Sequence, residues 1–120
     1  MTKKEFALGQ LAPYYKNPST CGVNEYGTCM YLTKEGKMCV AGKNLLKPID
    51  VAKDIDSLID EYGQEIFKPE ARNILTKEEW RLLQKIHDNI AKNQHELMLV
   101  QIESLNLFTF EELVEYSKTL

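Results

Sequence analysis

Apolar residues along this 120-residue chain recur mostly at helical spacing, with one stretch where they alternate at period two. Thr2 is placed to cap a helix over about residues 3–12, whose Phe6, Ala7 and Leu11 form an apolar side. Pro13 has no N–H for the helical ladder, so that helix should end or bend there. Asn17-Pro18 is turn sequence, and Cys21 to Gly27 reads as an irregular loop. Further on, Asp54 or Asp56 opens a helix through Leu58, Ile59 and Tyr62 that Gly63 stops. Ile66 to Pro69 reads as a short extended link.

Two later helices carry the same start signal. Thr76 with Glu79, and Thr109 with Glu112, set a capping residue three positions before a glutamate that can reach back to it. Each pair is flanked by an apolar residue before the cap and another four positions into the helix, Leu75 with Trp80 and Phe108 with Leu113. The first of these helices shows Trp80, Leu83, Ile86 and Ile90 as a core-facing stripe. It either continues to Leu105 or breaks near Asn93. The tract from Leu97 to Leu107 is apolar enough to suggest a dimer interface as well as a core face, so a homo-oligomer is expected.

The period-two stretch lies near residues 28–41 and predicts one antiparallel β-hairpin. With Lys34-Glu35-Gly36 as the loop and Gly36 left-handed, Tyr31 falls opposite Cys39 and Met30 opposite Val40. Met30, Leu32, Met38 and Val40 then share one face; Cys29, Tyr31, Thr33, Lys37, Cys39 and Ala41 share the other. Gly42-Lys43-Asn44 leaves the second strand and Leu45-Leu46 leads to Pro48. The expected class is therefore α+β, a single domain of four to five helices with one hairpin.

Composition narrows the function. Residues 1–53 carry a net charge of +4 and residues 54–120 one of −7, so an anionic ligand would be steered to the hairpin half. With two arginines and no basic stripe, sequence-specific DNA binding is not expected. The start has a charged head without an apolar h-region, and Leu97 to Val100 is the longest apolar run. These features predict a soluble, cytoplasmic protein with no membrane partner. Three cysteines spaced C-x7-C-x9-C fit neither a disulfide framework nor a zinc ribbon.

Candidate chemistry is sparse. Cys39 with His87 and Asp88 is the one nucleophile–base–acid set that can be assembled, and neighbours on a helix point in different directions. No catalytic residue, metal ligand or cofactor is assigned. His87 and His95 are eight positions apart, not the four that clamp one ion. Gly36-Lys37 and Gly42-Lys43 set lysines beside glycines whose amides an anion can approach, though not at P-loop spacing. Tyr31, on the face of Lys37, could stack on a base. The expected ligand-binding set is Tyr31, Lys37, Cys39, Gly42 and Lys43.

Asn17-Pro18, Gly27-x-Cys29-x-Tyr31, Gly36-Lys37-x-Cys39-x-x-Gly42 and Leu83-Gln84-x-Ile86-His87-Asp88 together resemble a group of short proteins of bacteriophages and mobile elements. In that group a hydrophobic Ile-Pro segment tends to follow the hairpin; Leu45-Leu46-Lys47-Pro48 stands in its place here. The resemblance implies context and no catalytic residues. Small accessory phage proteins often act in counter-defence, by sequestering a nucleotide signal or by binding a host protein. A non-enzymatic protein holding a small anionic, nucleotide-like ligand is the first expectation. A module that inhibits a host protein through its acidic helices is the second.

Overall fold

The computed structural model describes residues 1–47 and 53–120. Pro48, expected to close the segment after the hairpin, lies outside the described residues. The helices among them are α1 (Lys3–Lys16), α2 (Val40–Asn44), α3 (Ile55–Tyr62), α4 (Lys77–Ala91), α5 (His95–Leu105) and α6 (Phe110–Ser117), with single 3₁₀ turns at Pro18–Thr20, Gln64–Ile66 and Pro69–Ala71. None is long and apolar enough to cross a membrane.

Helix α4 is the centre: α1, α2, α3 and α5 all pack on it, and α6 packs on α1. Its stripe is the expected one, with Trp80, Leu83 and Ile86 wholly buried. Trp80 stacks on Phe67 with ring centroids 4.4 Å apart and meets the edge of Phe6 at 5.8 Å. Phe67 reaches it from the extended link, which pairs with the end of α2 through Leu46 N–H to Ile66 O (2.9 Å) and Lys68 N–H to Asn44 O (2.8 Å).

Both capping boxes form, at Thr76 and at Thr109. Asp54 precedes α3, and Gly63 ends it with φ of 76°. The chain breaks after Ala91, where Asn93 turns left-handed (φ 56°), so α5 is a separate helix. That break lets Met98, Ile102 and Leu105 face the core while Leu97 and Val100 remain exposed. Helix α1 does not stop at Pro13 but continues to Lys16. Asn17 N–H still reaches Pro13 O (3.0 Å), and Tyr14 beyond the proline is buried. Tertiary packing therefore offsets the one bond that the proline removes.

The expected β-hairpin is absent, and with it the α+β class: no strand forms among the described residues, only isolated bridges at Val23–Cys29 and Leu45–Phe67. The turn itself is correct. Gly36 has φ of 84°, Thr33 N–H donates to Lys37 O (2.8 Å), and the Thr33 hydroxyl accepts from Lys37 N–H (3.0 Å). Beyond it the two arms find other partners. Met30 N–H donates to Gly22 O (2.8 Å), Tyr14 OH to Met38 O (2.6 Å) and Ala41 N–H to Gln84 Oε1 (3.0 Å). One bond still crosses between the arms beyond the turn, Cys39 N–H to Met30 O (3.3 Å), but with the other backbone groups engaged elsewhere no ladder builds on it. Cys39 leaves the extended path and caps α2, so Val40 to Asn44 are helical. The expected division into two faces fails too: Tyr31, Thr33, Cys39 and Ala41 are buried together with Val40, whereas Leu32 and Lys37 are exposed.

Gly22 and Gly42 explain how loop and helix come so close. A Cβ on Gly42 would sit 2.1 Å from Tyr31 O, and one on Gly22 would sit 2.1 Å from Cys39 N. Since both neighbours are backbone, Gly42→Ala should destabilise the protein by about 2–3 kcal/mol or more through overpacking. Gly36→Ala meets open space and should lose only about 1 kcal/mol, from its left-handed φ. Urea denaturation of the two variants checks the ranking; equal losses would contradict it.

Candidate functional site

Residues 84, 87 and 88 lie on the side of α4 that meets the loop 21–39 and α2, because positions three and four apart share a helix face. Gln84 is buried there with both ends of its amide engaged. Its oxygen accepts the Ala41 N–H, and its nitrogen donates to Cys39 Sγ (3.1 Å) and to Cys29 Sγ (3.5 Å). Cys39 Sγ also accepts the Gly42 N–H at 3.4 Å. A buried thiol ordinarily stays protonated; this one is surrounded by N–H donors. The hydrogen bond from the Cys29 thiol, then those from Gly42 and Gln84, outweigh burial and bring Cys39 down to about 6. Cys29 goes the opposite way, driven up first by its hydrogen bond to Cys39 and then by burial. The two thiols are thus pushed in opposite directions. Burial pushes Cys21 up to about 11, as expected of an inert core thiol.

His87 is wholly buried, and its tautomer follows from its partners. Gly22 N–H can only donate, and it points at His87 Nε2 from 3.0 Å. The ring proton therefore sits on Nδ1 and is donated to Asp88 Oδ1 at 2.9 Å. His87 and Asp88 do meet, contrary to the expectation that helix neighbours diverge. The arrangement still does not make a catalytic triad with Cys39, because Nε2 is occupied by a backbone amide and cannot take a thiol proton. The same tautomer bears on metal binding. Cys29, His87 and Asp88 offer donor atoms within 4.8 Å of one another, yet neither ring nitrogen has a free lone pair. Two remaining donors are too few for a structural zinc.

The five residues expected to bind ligand are divided by the fold. Lys37 and Lys43 come together: with Ser19, Thr20, Tyr14 and Met38 they line an open groove of about 500 Å³ at the end of α1. Lys37 is exposed, while Lys43 is half-buried, donating to Gln10 O (3.1 Å) and lying 4.5 Å over the Tyr14 ring. Burial brings Lys43 down to about 8. Cys39 and Gly42 are sealed behind this groove. Tyr31 is on the other side, its OH donating to Lys53 O (2.5 Å) at the edge of a second cavity of about 510 Å³. Cys29 and Gln84 line that second cavity as well.

Gln84 was missed as a functional residue although a signal existed. Trp80, Leu83, Gln84 and His87 lie on one inward stripe, and polar groups on such a stripe need buried partners. Ser19 and Thr20 carried no such signal, being ordinary turn residues.

The thiol pair has a measurable consequence for stability. Cys39 titrates near 9.0 when unfolded and at about 6 when folded, so between these values the folded state binds fewer protons and stability rises with pH. The contribution is complete above the unfolded value and is lost as pH falls through the folded one. In reductant, the urea-unfolding free energy of the native chain relative to Cys39→Ala should grow between pH 6 and 9, by at most about 1.4 kcal/mol per unit. A difference that stays flat would mean a protonated thiol. Among known proteins, no family model, no curated protein and no solved structure matches this chain.

Proposed function

We propose that this chain is a non-enzymatic binding protein of the phage accessory type that holds a small anionic, nucleotide-like ligand in the groove of Lys37 and Lys43. The observation that supports it is the lining of that groove: two lysines, the hydroxyl residues Tyr14, Ser19 and Thr20, and no carboxylate. Lys37 offers an exposed point charge beside the left-handed turn at Gly36. Lys43 offers a cation already held in place over Tyr14. The Ser19 and Thr20 hydroxyls, which donate to Asn17, are exposed and can turn to phosphate oxygens. In this reading Tyr31, Cys39 and Gly42 support the site from behind and do not touch the ligand. Sequestration in the host cytoplasm is the role that matches the phage-like pattern.

A second reading, a module that binds a host protein or a second copy of itself, is favoured by one feature. Leu97 and Val100 are exposed three positions apart on α5, beside Glu96 and Glu103. In that case Leu97→Asp with Val100→Asp would abolish a stoichiometric partner that survives loss of the lysines.

Thermal shift with cyclic dinucleotides and ADP-ribose derivatives separates the two. A ligand at a hundred times its Kd stabilises by about 2.7 kcal/mol, a rise of several degrees for a chain of this size. Lys37→Ala and Lys43→Ala should each reduce the rise. Affinity should also fall as pH rises through about 8, where Lys43 loses its charge. The reading fails if none of these compounds shifts the melting point, or if the lysine variants bind as well as the native chain.

A further inference from the structure

We propose that Cys29 and Cys39 form a redox-active dithiol that exchanges with low-molecular-weight disulfides entering the cavity above Cys29. The two sulfurs differ in access. Cys29 is half-buried and lines the cavity of about 510 Å³, whereas Cys39 is wholly buried and not part of that lining. They share one amide donor, Gln84 Nε2, which is itself anchored by the Ala41 N–H. This is the arrangement that thiol–disulfide exchange needs: one sulfur that a substrate can reach, and a second held on the same amide nitrogen to resolve the mixed disulfide. The cavity walls carry three cations, Lys53, Arg81 and Lys85, and three acids, Asp54, Asp56 and Asp88. Mixed charge of this kind suits a zwitterionic disulfide of amino-acid or short-peptide type.

The steps balance without another reactant. The Cys29 proton passes to Cys39 as Cys29 attacks, which places the nucleophilic sulfur at the cavity. Cys29 attacks the substrate R–S–S–R; its S–S bond breaks, a Cys29–S–S–R bond forms, and RS⁻ leaves. Cys39 then gives its proton to the departing thiolate and attacks Cys29 Sγ. That step breaks the mixed disulfide, forms the Cys29–Cys39 bond and releases the second RS⁻. Two electrons pass from the protein dithiol to the substrate, and the products are RSH, RS⁻ and an intramolecular disulfide.

The test uses the full-length reduced chain with cystine or oxidised glutathione, followed by alkylation of free thiols and intact mass. The native protein should lose two thiols together, keep Cys21 free, and yield a Cys29–Cys39 cross-linked peptide on digestion. Cys39→Ala should stop at a mixed disulfide on Cys29, and Cys29→Ala should leave Cys39 unmodified until urea is added. Circular dichroism confirms that each variant is folded, and the native-chain result needs no variant. The proposal is overturned if all three native thiols resist a large excess of both disulfides. It is equally overturned if Cys21 reacts first or if the two thiols are lost one at a time without a cross-link.

Discussion

The amide of Gln84 is the interaction on which the loop half of this protein depends. Buried on α4, it accepts one backbone N–H from the start of α2 and donates to two sulfurs from different parts of the loop. An unsatisfied buried polar group costs about 1–3 kcal/mol, so the amide is stable in the core only with the loop and α2 in place around it. His87 has the same role one turn later, accepting Gly22 N–H and so fixing where the loop begins. Between them these two side chains hold the start of the loop and the start of α2 against α4.

The two candidate sites are neighbours through this arrangement. Tyr14 forms the wall between them, meeting His87 edge-on at 4.7 Å on one side and lying under the Lys43 ammonium on the other. Burial opposes the charge on Lys43, and the negative charge at Cys39 partly restores it. The charge of the lysine that faces the anion groove is therefore supported in part by the core thiol. The remaining helices supply rigidity: α4 is held from behind by α5, and α1 by α6.

Parts of the site could be read from residues alone and parts could not. Gly36 as a left-handed turn and the pairing of Lys37 with Thr33 were legible, because a turn is closed by atoms within four residues. The strands were not. Alternating burial does occur at Tyr31 and Thr33, yet it arises in a loop laid across a helix, and it ends at Cys39, Val40 and Ala41, which are all buried. Period two reports which side chains are covered; it does not report what the backbone pairs with. The partners here are Gln84, 43 residues from Ala41, and His87, 65 residues from Gly22, and no local pattern announces them.

What the amino-acid order determined by itself is the set of helix starts, stops and inward stripes. Thr76, Thr109, Gly63 and the Trp80 stripe act through hydrogen bonds and contacts within one or two turns, so their outcome hardly depends on the rest of the chain. Only the tertiary structure decided that residues 28–41 form a cap and loop instead of strands, and that Lys37 and Lys43 share a groove from which Tyr31 and Cys39 are excluded. The reason is physical: a buried N–H or C=O takes whichever partner the packed core brings within 3 Å or so, and that partner is chosen by the whole fold.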